Sequence, residues 1–150
     1  MDVYKLLHED HRKVKSLLKE LEDTTERAGK TREHLIRQVE MELEIHSEAE
    51  EKFFYPYLQT AKETKDLAYE ALEEHKVVKS LLQELIAEAK GTAEWTAKCS
   101  VLIENVEHHI EEEEGELFPK ARKVLSKEEA ESIGEEIEDY KEQHTGVGAG

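Results

Sequence analysis

Two stretches of the chain share a spacing of histidine and glutamate that could hold metal ions. In the first stretch His46 is followed four residues later by Glu50, and in the second His109 is followed four residues later by Glu113. Residues four apart on a helix project from one face, with Cβ atoms roughly 5–6 Å apart. Each stretch therefore offers an imidazole and a carboxylate to the same point in space. Facing each other inside a helical bundle, the two stretches would each supply half of a two-metal site.

A second repeat indicates that a whole pair of helices is duplicated. Residues 11–21 match residues 75–85 at a separation of 64, and the two His-Glu stretches recur at a separation of 63. His11 and His75 open the two matching segments. Two segments that return in the same order at nearly the same offset predict a pseudo-symmetric set of four helices.

Apolar residues in these four segments follow alternating steps of three and four, which is typical of helices with one buried face. The predicted buried positions are Tyr4, Leu7, His11, Val14, Leu18 and Leu21 in the first helix; Ile36, Val39, Leu43, His46, Glu50, Phe53 and Tyr57 in the second; Ala68, Ala71, His75, Val78, Leu82 and Leu85 in the third; and Cys99, Leu102, Val106, His109, Glu113 and Leu117 in the fourth. Short connections favour antiparallel neighbours, so the predicted fold is an all-α, up-down-up-down four-helix bundle.

Glycine, threonine and proline mark the expected ends of these helices. Gly29 and Gly91 are expected to end the first and third helices. Thr31 and Thr92 are expected to cap the second and fourth. Pro56 should kink or end the second helix, because proline lacks the backbone N–H and crowds the preceding turn.

The C-terminal region predicts one further element. Ser126 with Glu129 three residues later forms a capping-box pattern, which predicts a short fifth helix ending at about Tyr140. We therefore expect one domain over residues 1–143 and a flexible tail over residues 144–150.

Composition narrows the classes of partner. The formal net charge of −16 argues against nucleic acid and against anionic membrane surfaces, both of which require clustered Lys and Arg. A single cysteine, Cys99, excludes an internal disulfide, and Met1 is not followed by an apolar run. These features predict a soluble cytoplasmic protein that holds cations.

Six ionisable side chains occupy positions where a bundle normally buries apolar residues. They are His11, His46, Glu50, His75, His109 and Glu113. A single buried histidine is more often a hydrogen-bonded core residue than a ligand. Two unpaired buried carboxylates, however, would destabilise the fold strongly, and the repeat reproduces the whole set. The combination favours metal ligands, and mixed imidazole and carboxylate donors suit iron or manganese, with zinc as a possible substitute.

The chain resembles the hemerythrin-like, HHE-type cation-binding domains over about residues 1–125. The motifs that carry the resemblance are Glu9-Asp10-His11, His46-x-x-x-Glu50-Glu51 with Phe53 to Pro56, Glu73-Glu74-His75, and His109-x-x-x-Glu113-Glu114 with Leu117 to Pro119. The resemblance implies a non-haem centre of two iron ions (Fe²⁺/Fe³⁺) with a bridging oxo or hydroxo group. It also implies that Glu50 and Glu113 bridge the ions, that His11 and His46 bind one of them, and that His75 and His109 bind the other.

One departure from the family pattern concerns a seventh ligand. Oxygen-carrying members place a second histidine one turn from the third-helix ligand, whereas this chain has Ala71 and Lys79 at those distances from His75. His8 could compensate as an additional ligand on the opposite ion. The interpretation of His8 as a solvent-edge residue beside the buried face is favoured, because histidine often occupies partly exposed positions.

Acids next to the predicted ligands have two interpretations. Asp10, Glu51, Glu74 and Glu114 could hydrogen-bond to ligand side chains, or they could form a solvated or half-buried edge, which is the favoured interpretation. The remaining histidines, His34, His108 and His144, are interpreted as surface residues.

Three classes of function follow from these expectations. A reduced di-iron site could bind O2 or NO reversibly, it could decompose hydrogen peroxide as a catalase- or peroxidase-like enzyme, or the domain could sense or store iron or oxygen without turnover. The missing seventh ligand favours reaction with O2 or peroxide, in oxygen or oxidative-stress handling. Small molecules are the expected partners, neither nucleic acid nor membrane is expected, and no protein partner is indicated.

Overall fold

The computed structural model of the chain describes residues 1–145, and every regular element within that range is helical. The α-helices are α1 (Val3–Glu22), α2 (Gly29–Ala49), α3 (Tyr55–Gln59), α4 (Lys65–Ala87), α5 (Ala93–Glu112), α6 (Phe118–Val124) and α7 (Lys127–Thr145). A first π-helical turn, Glu50–Phe54, joins α2 to α3, and a second, Glu113–Leu117, joins α5 to α6. The predicted four-helix bundle with an additional C-terminal helix is confirmed.

The duplication is visible in the order of these elements. One copy consists of α1, α2, the first π turn and α3, and the other consists of α4, α5, the second π turn and α6. Helix α1 packs on α2, α5 and α7, while α4 packs on α5 and α2. Among the residues that the structure covers, no helix has the length and apolar content that a membrane crossing requires.

Two separate apolar clusters fill the bundle. The first includes Leu7, Phe54, Tyr55, Phe118 and the α7 residues Ile133 and Ile137. The second includes Val14, Leu18, Ile36, Trp95 and Leu102. On α1, His11 lies between Leu7 of the first cluster and Val14 of the second. The polar residues of the buried faces therefore form a layer between two hydrophobic cores, each of which removes large side chains from water.

The predicted boundaries near Gly29 and Gly91 were wrong. Helix α1 ends at Glu22, Gly29 begins α2, and α4 ends at Ala87. Thr31 lies inside the first turn of α2 and does not cap it, since the N-cap residue is Ala28 and no side-chain cap is present. The predicted cap by Thr92 is confirmed, because its side chain accepts a hydrogen bond from the Trp95 N–H at 3.0 Å.

Arg32 explains how the connection after α1 is closed. Its guanidinium is buried, donates to Thr24 Oγ1 at 2.9 Å and to the Lys90 carbonyl at 2.6 Å, and lies over the Trp95 ring. A buried charge of this kind requires several partners, and the backbone of two loops supplies them. Local turn residues alone therefore did not determine where α1 and α4 end.

The π turns change which residues face the core. A π turn contains one more residue than an α turn, so the helical spacing that holds up to Glu50 does not continue beyond it. Phe54, Tyr55 and Leu58 are fully buried, whereas Tyr57, which the α-helical spacing predicted as buried, is 45% exposed. Pro56 lies in the first turn of α3, where its missing N–H costs no hydrogen bond. The proline thus begins a helix rather than ending one.

Helix α7 is longer than predicted. The capping box is confirmed by two hydrogen bonds, from the Glu129 N–H to Ser126 Oγ at 3.0 Å and from the Ser126 N–H to Glu129 Oε1 at 2.8 Å. The helix continues for 19 residues to Thr145 and packs on α1, α2 and the first π turn. His144 therefore belongs to α7 rather than to the predicted tail, and residues 146–150 of that tail lie outside the described range.

Candidate metal centre

The structure brings all six predicted site residues together in the middle of the bundle. Each of the four main helices contributes one imidazole, from His11, His46, His75 and His109. Glu50 and Glu113 are the first residues of the two π turns, and their exposed fractions are 0% and 2%. The change of helical geometry therefore begins at each buried carboxylate, and π turns are frequent at functional sites.

Each carboxylate faces imidazoles from both halves of the duplication. Glu50 Oε1 lies 3.1 Å from His46 Nε2 and 3.3 Å from His75 Nε2. Glu113 lies 3.1 Å from His11 Nε2 through Oε1 and 3.5 Å from His109 Nε2 through Oε2. Both glutamates thus connect the two halves of the site.

These atoms form two overlapping groups that could hold metal ions. His11, His46, Glu50 and Glu113 form one group, and Glu50, His75 and His109 form the other, with all ligand atoms of a group within 4.8 Å of one another. Glu50 belongs to both groups, so the two groups together contain six different residues.

Many of the inward-facing atoms have no hydrogen-bond partner. They are Nε2 of His11, His46 and His109, both side-chain oxygens of Glu50, and Oε1 of Glu113. A buried polar atom without a partner is costly, and such atoms are rare in folded proteins. Cations coordinated at this position would satisfy all of them, so the residues fit a metal centre.

A second carboxylate holds the outer nitrogen of every imidazole in the site. The Nδ1 contacts are His11 with Glu114 at 2.6 Å, His46 with Asp10 at 2.8 Å, His75 with Glu51 at 2.8 Å, and His109 with Glu74 at 2.6 Å. When Nδ1–H donates to a carboxylate, the lone pair of Nε2 is aimed at the interior. Of the two interpretations of these four acids, the less favoured one, hydrogen bonding to the predicted ligands, is the one that these contacts support.

The electrostatics of the site also favour a cation. Burial alone would lower the pKa of His46, but the Glu50 carboxylate and the hydrogen bond to Asp10 raise that pKa well above its ordinary value. Burial opposes a charged His75 in the same way, yet the Glu50 carboxylate 3.3 Å away and the hydrogen bond to Glu51 raise its pKa to about 9. The pKa of Glu50 is well below its ordinary value despite burial, chiefly because of the charge on His46. Without metal, protons on His46 and His75 would therefore offset part of the charge of the buried carboxylates.

Tyr55 is a site residue that the sequence reasoning missed. It is fully buried, its hydroxyl donates a hydrogen bond to Glu113 Oε2 and lies 3.3 Å from His75 Nε2, and its ring stacks on His75. Burial and the neighbouring carboxylates raise the pKa of Tyr55 well above its ordinary value, so the hydroxyl keeps its proton. The equivalent residue of the other half is Phe118, which stacks on His11. The sequence signal for Tyr55 was its equivalence to Phe118, since each aromatic residue follows the histidine of its His-Glu pair by nine residues.

His8 does not join the converging residues. Its side chain is 55% exposed, and its Nδ1 lies 2.9 Å from Glu114 Oε2, the same oxygen that contacts His11 Nδ1. The favoured interpretation of His8 as a solvent-edge residue agrees with this position. Ala71 lies one turn before His75, where a seventh ligand histidine was considered, and it is buried in the first apolar cluster.

The other predicted surface histidines, His34, His108 and His144, are exposed. His108 nevertheless lies in a third group with Glu74 and Glu112, again with ligand atoms within 4.8 Å of one another. A hydrogen bond to Glu74 and partial burial raise the pKa of Glu112 to about 7.

A small, largely apolar cavity adjoins the candidate centre. All four imidazoles line it, together with Val14, Leu43, Ser47, Val78, Val106 and Ile110. All four main helices contribute to its wall, and the chemistry of that wall suits a small uncharged molecule better than an ion.

Comparison with known proteins agrees with this geometry. The model of the hemerythrin HHE cation binding domain family matches residues 2–121. The chain belongs to this family. A solved structure of a hemerythrin HHE cation binding domain-containing protein from Mycobacterium kansasii superposes on this HHE domain with a TM-score of 0.84 and 26% identity, covering 97% of this chain and 88% of the other.

Two curated relatives of this HHE domain are each 29% identical to it. One is named DNA nickase, from Nostoc sp., and matches over 91% of this chain; the other is an uncharacterized hemerythrin-like protein from Schizosaccharomyces pombe, matching over 83%. The chain spans 38% and 61% of the length of these relatives, respectively.

Proposed function

We propose that this HHE domain holds two iron ions and binds or reacts with O2 or hydrogen peroxide. The proposed ligands are His11, His46, Glu50, His75, His109 and Glu113. The observation that carries the proposal is the convergence of buried imidazole nitrogens and carboxylate oxygens that have no other partner. Imidazole and carboxylate donors suit iron and manganese, and zinc could occupy the same donors.

The two overlapping groups of ligand atoms support a pair of ions rather than one. His11 and His46 would serve one ion, His75 and His109 would serve the other, and the two glutamates would be shared. A pair of iron ions would supply the electrons for reversible binding or reduction of a small oxygen species. The carboxylates behind each imidazole would keep the four Nε2 atoms directed inward.

The surroundings of the site support a small, neutral ligand. Five of the ten residues that line the adjoining cavity are valine, leucine or isoleucine, and this apolar part of the wall suits an uncharged ligand. Tyr55 adds a phenolic hydroxyl next to His75 and Glu113, and burial keeps that hydroxyl protonated. O2, NO and hydrogen peroxide are all small enough and uncharged.

A second candidate is an iron- or oxygen-sensing or storage role without turnover. The same unsatisfied atoms favour it, because a site that is costly without metal couples metal binding to the stability of the folded domain. An activity on DNA, which the name of the Nostoc relative suggests, is not proposed, because the formal net charge of −16 opposes binding to a phosphate backbone.

Anaerobic reconstitution with Fe²⁺ tests the proposal. After desalting, metal analysis should find two iron ions per chain, whereas Glu50→Ala and Glu113→Ala should each lose at least one; Glu111→Ala, an exposed neighbour, is the matched control. O2 and hydrogen peroxide are then added separately. A reversible O2-dependent visible band supports binding, repeated peroxide turnover supports an enzyme, and neither response with bound iron supports storage or sensing. Reconstituted wild-type protein without iron would refute the proposal.

A further inference from the structure

Asp10 and Glu74, which occupy equivalent positions in the two halves of the bundle, have different neighbours. Asp10 and Glu74 are 64 residues apart in the repeat, and each holds the Nδ1 of one imidazole of the site. Asp10 is also paired with the ammonium group of Lys141 on α7. Glu74 instead has a second acid beside it, Glu112, with ligand atoms of the two side chains within 4.8 Å of each other. Asp10 is therefore paired with an ammonium group, whereas Glu74 lies beside further side chains that could bind a metal ion.

His108 and Glu112 complete a set of donors around Glu74. They are four residues apart on α5, with His108 Nε2 3.4 Å from Glu112 Oε2, which repeats the His-Glu spacing of the inner site one residue earlier. We call Glu74, His108 and Glu112 the outer cluster; their ligand atoms lie within 4.8 Å of one another.

The repeat provides a comparison for the outer cluster. The residues 63 positions before His108 and Glu112 are Ile45 and Ala49. Both are buried in the apolar cluster that also contains residues of α7. In the half with Asp10, where Lys141 of α7 supplies an ammonium group, these two positions are apolar. In the half with Glu74 they are His108 and Glu112, which could bind a metal ion.

A pocket connects the outer cluster with the buried residues. Glu70, Glu74 and Glu112 line it together with His109 and Glu113. The Glu113 side chain is 1% exposed and its Oε1 has no hydrogen-bond partner, and His109 Nε2 is also unpartnered. The pocket thus borders Glu74 and Glu112 of the outer cluster as well as the inner residues His109 and Glu113.

We infer that the outer cluster is a separate site for a divalent transition-metal ion, from which the ion passes to the buried centre. The inference rests on the proposed function, because it requires that the buried residues take up metal. One imidazole and two carboxylates match the donor types of the inner site, so one ion can bind at both. The exposure of His108 leaves room for water on the ion, so the outer site is the weaker one.

Equilibrium dialysis of the full chain against Co²⁺ tests the outer site directly. Wild-type protein should bind one more ion than it retains after desalting. The double variant His108→Ala/Glu112→Gln should lose only this weaker ion, and Glu111→Gln, which removes an exposed charge from the same turn, should keep it. A wild-type protein with no additional ion, or a double variant that still binds it, would overturn the inference.

The rate of loading tests the passage of the ion. Metal-free protein is mixed with Co²⁺, quenched with EDTA at increasing times and desalted before cobalt is measured. Loading of the double variant should slow by about tenfold, at the low end of rate effects from charged clefts. Its final cobalt content should equal that of the wild type. An unchanged rate contradicts the inference, whereas wild-type protein that retains no cobalt at any time contradicts the proposed function instead.

Discussion

The orientation of each imidazole depends on a single carboxylate behind it. Asp10 is the most buried of the four acids, and it is held in turn by Lys141. With the Nδ1 hydrogen bond in place, the ring of His46 has one tautomer and one direction. The precision of the candidate centre therefore depends on residues that would not be ligands of the ions in that centre.

We expect Asp10→Asn to weaken binding of one ion by roughly 10–100-fold, the usual cost of losing such a partner. An amide cannot supply the negative charge that favours the required tautomer of His46. Competition with a chelator of known affinity measures the change, and Glu9→Gln, an exposed neighbouring acid, should leave the affinity unaltered. Equal affinities for wild type and Asp10→Asn would show that the negative charge of Asp10 does not contribute to metal binding.

Tyr55 offers a comparison that the repeat itself supplies, because the equivalent residue is Phe118. Tyr55→Phe removes the donor to Glu113 Oε2 and leaves that oxygen buried without a partner. The metal-free protein should lose about 1–3 kcal/mol in the free energy of unfolding, the cost of one unsatisfied buried group. Urea unfolding measures the loss, and the exposed Tyr57→Phe is the control. Equal losses for the two variants would contradict the role assigned to the hydroxyl.

At the scale of elements, helical spacing predicted the four main helices and brought six candidate ligands to one level. It failed beyond Glu50, because a π turn shifts the register and α-helical spacing has no signal for it. Tyr55 and Leu58 thus replaced Tyr57 in the core. The ends of α1 and α4 were also missed, since the hydrogen bonds of Arg32 to two loops join residues far apart in sequence. The first error therefore concerns local helix geometry, and the second concerns contacts between residues far apart in sequence.

Close packing of α7 against the N-terminus leads to a prediction for one glycine. A Cβ atom at Gly134 would lie 2.1 Å from the Met1 carbonyl oxygen and 2.9 Å from the Asp2 carbonyl carbon. Backbone must move to accept it, so Gly134→Ala should destabilise the fold by about 1–3 kcal/mol, although alanine is the better helix former. Thermal unfolding measures the effect, and Gly29→Ala, where a Cβ meets nothing within 4 Å, is the control. An unchanged or raised Tm for Gly134→Ala would show that α7 can move without cost.

Across the whole molecule, a layer of unsatisfied polar atoms separates two apolar clusters, and the chain carries a formal net charge of −16. Each cluster can form by burial of its own side chains. Metal ions would give the unsatisfied atoms of the layer between them partners that the protein itself does not supply. Metal should therefore connect the two clusters and raise the stability of the bundle as one unit.

Removal of metal should consequently lower the Tm of the entire domain. An ion at one hundred times its dissociation constant contributes about 2.7 kcal/mol, and for a chain of this size each kcal/mol shifts Tm by roughly 2–4 °C. Two ions should thus give a rise of about 10 °C or more over EDTA-treated protein, measured by circular dichroism with added Fe²⁺ under anaerobic conditions. Mg²⁺ at the same concentration is the control, because it prefers oxygen ligands and acts mainly by screening the negative surface. If Mg²⁺ raises Tm as much as Fe²⁺, the stabilisation comes from general screening and the buried imidazoles contribute nothing to it.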